Sequence, residues 1–144
     1  MMTVEELRRI CSNKKVFIWG AMIVGQGVCR SLERIAMPVT SFLDISPSLQ
    51  GRKALGYEIR KPEDVFASVR SGEGIIIAAS GHCDLDIGDS CNKAGMIQGR
   101  DYILCRELND LDPSIDVSGS CNLRCISCPR GNDRSRPATG FMSA

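Results

Sequence analysis

Two runs of the chain are apolar without interruption: Val16-Phe17-Ile18-Trp19 and Ile75-Ile76-Ile77-Ala78-Ala79. A strand with one face in water alternates apolar and polar residues, so runs like these belong in a sheet covered on both sides. Between them lie segments of helical period. Val28, Leu32 and Ile35 share one face of a helix predicted from about Val24 to Ala36. Pro38 to Leu43 and Tyr57-Glu58-Ile59 read as further strands, Lys61-Pro62-Glu63-Asp64 opens another helix, and Asp101 to Leu104 completes the set. Ser80-Gly81-His82 turns into a helix that ends at Lys93-Ala94-Gly95. At the N-terminus, Thr3-Val4-Glu5-Glu6 is a capping box that starts a short helix to about Cys11, with Leu7 and Ile10 inward. Strand–helix alternation of this kind predicts a doubly wound, mostly parallel α/β sheet with right-handed crossovers.

Composition narrows the class. Hydrophobic residues make up 43% of the 144 and charged residues 24%, which is globular and excludes a disordered chain. No apolar run approaches the roughly 20 residues that span a bilayer, and no signal peptide is read at the start. A net charge of +1 gives no general reason to expect nucleic-acid or membrane-surface binding. The expectation is therefore a cytoplasmic protein with no membrane and no nucleic-acid partner, for which a homo-oligomer is allowed. A change of character falls near Asn109 to Pro113: from Gly119 onward four arginines face only Asp133. This places one domain over 1–110 and a second element over 111–144.

The first apolar run is followed by Gly20-Ala21-Met22-Ile23-Val24-Gly25. A glycine turn between strand and helix offers unpaired amides and a positive dipole to phosphate. Against G-x-G-x-x-G, Gly20 and Gly25 fit the first and third positions, while Met22 stands where the second glycine would admit the phosphate. Asp44 ends the next strand, where an acidic side chain accepts ribose hydroxyls. Gly20, Gly25 and Asp44 are the candidate cofactor-binding residues. The other reading is that the glycines serve strand–helix packing and Asp44 caps a loop. The segment from Lys15 to about Leu108 resembles a small Rossmann-like domain, carried by Ile18-Trp19-Gly20-Ala21, Gly25, Phe42-Leu43-Asp44, Gly56-Tyr57 and Ile75 to Ala78. That resemblance implies a nucleotide or nucleotide-sugar ligand. His82, the one histidine, follows the Ile75–Ala79 strand and reads as a loop or capping residue; no catalytic residue is assigned.

The cysteines pose a separate question. Eight are present, and an even count can mean a disulfide framework. A chain long enough to fold on its own core, with three cysteines inside eight residues, fits a reducing compartment better. Cys11, Cys29, Cys83, Cys91 and Cys105 read as buried small hydrophobes. Cys121, Cys125 and Cys128 have spacing that can wrap three corners of a cubane cluster. Zinc would want a fourth ligand, no histidine is near, and Cys105 is the nearest spare thiol.

The stretch Ile115-Asp116-Val117 through Cys121-Asn122-Leu123-Arg124-Cys125-Ile126-Ser127-Cys128-Pro129 resembles the cluster loop of the radical S-adenosylmethionine superfamily. The resemblance implies a [4Fe-4S] cluster on Cys121, Cys125 and Cys128, with S-adenosylmethionine on the fourth iron and cleaved reductively. It also implies an electron donor such as flavodoxin or ferredoxin and a small-molecule or peptide substrate. Ser127 departs from the aromatic residue common before the last cysteine. On this reading, 111–144 is the first strand and cluster loop of an incomplete (β/α) barrel. The chain is then the N-terminal part of a radical enzyme, not competent alone, with the Rossmann-like domain recognising substrate, nucleotide or partner. The alternative is a stand-alone nucleotide- or small-ligand-binding module without catalytic activity.

Overall fold

The structure, a computed structural model, describes residues 2–108. All of them fall within the unit Met1–Pro113. Helix α1 (Val4–Cys11) starts on the predicted capping box. The Thr3 amide donates to Glu6 Oε2 at 2.9 Å and the Glu6 amide to Thr3 Oγ1 at 3.2 Å. Two orphan amides are satisfied reciprocally, a device worth about 1 kcal/mol.

Then follow β1 (Lys15–Trp19), α2 (Ile23–Arg34), β2 (Ser41–Leu43), β3 (Lys53–Ala54), β4 (Tyr57–Arg60), α3 (Glu63–Arg70), β5 (Gly74–Ala78), α4 (Asp84–Lys93) and β6 (Tyr102–Leu104). Short 3-10 turns at Gly81–Cys83 and Cys105–Glu107 complete the set. The sheet order is β3-β4-β2-β1-β5-β6. Five strands are parallel, and β3 joins β4 antiparallel at one edge. The strand β3 has no apolar run to betray it. Its hairpin turns on Leu55 (φ 50°) and Gly56 (φ 85°), the double positive φ of a tight two-residue loop.

The two uninterrupted runs are explained by the layers. From β1, Val16 and Ile18 enter one core with Leu7 and Cys11 of α1 and Cys29 and Leu32 of α2. Phe17 and Trp19 enter the other, with Val65 and Val69 of α3 and Ile87 and Cys91 of α4. Along β5, Ile75 and Ile77 face the first core while Ile76 and Ala78 face the second. The predicted doubly wound sheet is thus present. It is an open sheet with two edges. The expected start of a (β/α) barrel over 111–144 lies outside the described residues.

Of the five thiols expected to be buried, three are, one is half-buried and one is exposed. Cys11, Cys29 and Cys91 are buried, which pushes the first two up to about 11 and Cys91 up to about 12. Cys105 is half-buried, and its thiol is also raised by burial. Cys83 is exposed, because the turn at the end of β5 carries it outward just before α4 begins. Only the thiolate alkylates. Brief iodoacetamide treatment of the native protein at pH 8 therefore modifies Cys83 and spares Cys11, Cys29 and Cys91. Peptide mass mapping reads this, and early modification of Cys91 would contradict the packing described.

Candidate nucleotide site at the sheet edge

In an open parallel sheet, ligands bind beyond the carboxyl ends of the strands, where the strand order reverses. Here the reversal lies between β1 and β5. The chain leaves β1 towards β2 and returns on its other side as β5. The Ala79 amide donates to Trp19 O at 2.8 Å, and the Gly20 amide to Leu43 O at 2.8 Å, so the turns after β1 and β5 run side by side.

Gly20 has φ +123°, and a Cβ there would overlap the Ala79 carbonyl. Gly25 is buried one helical turn on, and a Cβ there would overlap the carbonyl oxygen of Gly20 and stand 2.9 Å from its carbon. Both glycines therefore let helix α2, its entry turn and the β5 turn approach one another. Gly81 (φ +60°) completes the contact, with its Cβ position 3.6 Å from Val24 Cγ2. Sequence reasoning passed over Gly81 as an ordinary turn glycine; its place directly after a fully buried strand was the available signal.

The first turn of α2 presents its amides to this edge. Met22 is the N-cap and makes no side-chain cap bond. The first backbone bond into the helix is Gln26 N–H to Met22 O at 2.9 Å, which leaves the amides of Met22, Ile23, Val24 and Gly25 without an acceptor among the described residues. Met22, in the place of the missing glycine, is 61% exposed and packs into neither core.

Asp44 stands beside this turn. Its backbone amide donates to Arg60 O at 3.1 Å, extending the β2–β4 ladder. Its Oδ1 accepts from Ser46 N at 2.9 Å and its Oδ2 from Ala21 N at 3.3 Å. Gln50 Nε2 donates to Asp44 O, and Gln26 Nε2 to Ala21 O. The structure therefore brings Gly20, Gly25 and Asp44 to one place. The histidine's backbone lies in the 3-10 turn Gly81–Cys83 at the same edge.

Exposed apolar residues lie on the segments next to the polar turn, and sequence reasoning missed them. Ile23 is 85% exposed, and Ile45 beyond β2 and Leu85 at the start of α4 are exposed as well. Ile23 opens α2 itself, while Ile45 and Leu85 follow β2 and β5, the strands that flank β1. The β5 side is braced by Arg106, whose Nε and Nη2 donate to the buried Asp84 carboxylate at 3.1 Å each.

No protein-family model matches the chain, and no curated protein matches it. Solved structures of RSP, a Rex-family repressor, are similar to it. The repressor structure shares 24% identity at a TM-score of 0.47, covering 72% of this chain and 54% of that one. Its complex with beta-NADH gives 23%, 0.46 and the same coverage. A complex with beta-NAD+ and operator DNA gives 21% and 0.47, covering 74% and 63%. The present chain thus spans between half and two thirds of those chains.

These findings correct the sequence-based expectation. The similar structures are those of a repressor solved with NADH, NAD+ and operator DNA, rather than a radical S-adenosylmethionine enzyme. The reading as an N-terminal part of a radical enzyme is withdrawn. With it go the incomplete barrel, the [4Fe-4S] cluster, the cleavage of S-adenosylmethionine and the flavodoxin or ferredoxin donor. The exclusion of nucleic-acid partners is withdrawn too, since one similar structure holds operator DNA. Cys121, Cys125 and Cys128 lie outside the described residues. Among the described residues, no group of three or more His, Cys, Asp or Glu side chains is placed to hold a metal ion. None of the described helices is long and apolar enough to cross a membrane.

Proposed function

We propose that the domain binds a dinucleotide of the NAD(H) class across the carboxyl edge of its sheet, with Gly20, Gly25 and Asp44 building the site. The observation that carries this is the placement of four acceptor-free amides, Met22 to Gly25, at the point where the strand order reverses. Amides and helix dipole suit a pyrophosphate. Asp44 suits the ribose diol on the β2 side. Ile45 and Leu85 offer apolar contact on the two sides of the turn, which matches a ligand with a ring system at each end of a diphosphate. NADH and NAD+ are the ligands found with the similar repressor, so they are the first to try. The free thiols at Cys11, Cys29 and Cys91 support a reducing, cytoplasmic setting.

Thermal unfolding of the full chain, with and without NADH, tests the reading. At about 100 times its Kd the ligand adds about 2.7 kcal/mol, or about 10 °C or more for a domain of this size. Asp44→Ala weakens NADH binding by at least about tenfold, the loss of a charged hydrogen-bond acceptor. Absence of any shift with NADH or NAD+, while a UDP-sugar or S-adenosylmethionine gives one, would replace the dinucleotide by that ligand. No shift with any of the four would leave the glycines to packing alone.

A further inference from the structure

Asp44 carries a charge into a turn built for anions, and this has a consequence for how the site fills. Its carboxylate occupies the Ala21 amide, the one amide of the glycine turn that has a side-chain acceptor, at 3.3 Å. The bond to Ser46 N, at 2.9 Å, is the shorter of the two. A carboxylate beside the first turn of a helix takes the place an anionic ligand would take. The Ala21 amide adjoins that of Met22 along the chain, so a diphosphate arriving at the Met22–Gly25 amides would meet a like charge beside it.

Resting on the dinucleotide reading, we propose that the Asp44–Ala21 contact is an autoinhibitory latch. Asp44 acts as an internal anion that keeps simple phosphates out and yields to a ligand carrying both a diphosphate and a ribose diol. The diol offers Asp44 two hydroxyl donors in exchange for the long bond to Ala21. The freed Ala21 amide joins the four already unpaired. Oδ1 keeps its bond to Ser46, so the carboxylate pivots about that contact and the β2 loop stays in place. The latch couples the two halves of the ligand through one side chain. Diol engagement and phosphate engagement then favour each other reciprocally.

The two halves of the idea predict opposite signs for one substitution. Asp44→Asn keeps an oxygen for Ser46 and removes the charge. By calorimetry on the full chain it binds inorganic pyrophosphate about tenfold more tightly than the unmodified protein and binds ADP-ribose about tenfold less tightly. A residue that merely supports the fold would weaken both. Pyrophosphate affinity unchanged or reduced in Asp44→Asn, with ADP-ribose still binding the unmodified protein, overturns the latch and leaves the dinucleotide reading standing. Failure of ADP-ribose and NADH to bind the unmodified protein at all overturns both. Should Asp44→Asn not fold, 15N–1H spectra of the unmodified protein decide the matter. The Ala21 amide moves strongly with ADP-ribose and stays near its free position with pyrophosphate alone. Equal movement with pyrophosphate alone overturns the latch.

Discussion

Gly25→Ala costs about 4 kcal/mol or more, the range in which single substitutions become exceptional. The cause is local and unrelieved. The new methyl overlaps the carbonyl oxygen of Gly20, a backbone atom. Gly20 cannot give way, because its amide is bonded to Leu43 O and its own Cβ position is blocked by Ala79. Ile18 Cγ2 closes the remaining side at 3.3 Å. For a domain whose total stability lies at about 5–15 kcal/mol, this is about a quarter of it or more. Gly27 lies two residues further along the same helix and provides the control. Nothing stands within 4 Å of its Cβ position. Gly27→Ala therefore stabilises by about 0.5–1 kcal/mol, the helix-propensity difference between the two residues. Urea unfolding of the two variants should give changes of opposite sign. Similar values for both would mean that α2 does not approach the glycine turn as described.

Acid destabilises the domain through two buried carboxylates. Asp101 and Asp84 have side chains only 1% and 3% exposed. The Arg100 guanidinium, bonded through Nε and Nη2, and the Ile97 amide hold the Asp101 carboxyl below the usual carboxylate range. Arg106 does the same for Asp84. A carboxyl whose folded pKa is depressed binds fewer protons in the folded state than in the unfolded one. Its contribution is therefore complete above the unfolded value of about 3.9 and is lost as pH falls through the lower folded value. Stability should be flat from pH 7 to about 5 as far as these groups are concerned, then fall steeply below 4. Asp101→Ala removes the acceptor of the Ile97 amide and costs about 2–3 kcal/mol at pH 7. Arg100 is 58% exposed, so water screens much of the ion pair and the lost backbone cap dominates. In the variant the acid limb is shallower. An unchanged urea midpoint at pH 7, or an acid limb as steep as in the unmodified protein, would refute this account.

The legible part of the fold came from periodicity and from local caps. The runs Val16–Trp19 and Ile75–Ala79 announced strands covered on both faces, and they occupy β1 and β5, neighbouring interior strands of the sheet. Thr3 and Glu6 announced the start of α1 because a capping box needs only residues three apart. The β3–β4 hairpin stayed hidden, since Leu55 is not a usual turn residue and β3 has only two residues. Cys83 shows the limit of composition: a cysteine is usually buried, yet a turn at a sheet edge exposes it. The cysteine spacing at 121–128 was the most specific pattern in the chain, and the function read from it is the one withdrawn. Such a motif acquires chemistry only from the frame around it.

The sequence by itself determined the layered α/β architecture, because apolar period and helix caps act between neighbours along the chain. It also marked Gly20, Gly25 and Asp44 as a group worth locating. The tertiary structure decided what joins them. Strand order set the turn after β1 beside the turn after β5. Close approach made Gly25 a packing necessity, and Asp44 reached the Ala21 amide 23 residues away. Met22, a misfit in the glycine pattern, lies exposed at the N-cap of α2. Distances across the sheet arise from parallel pairing of segments remote in sequence, and no local period encodes them.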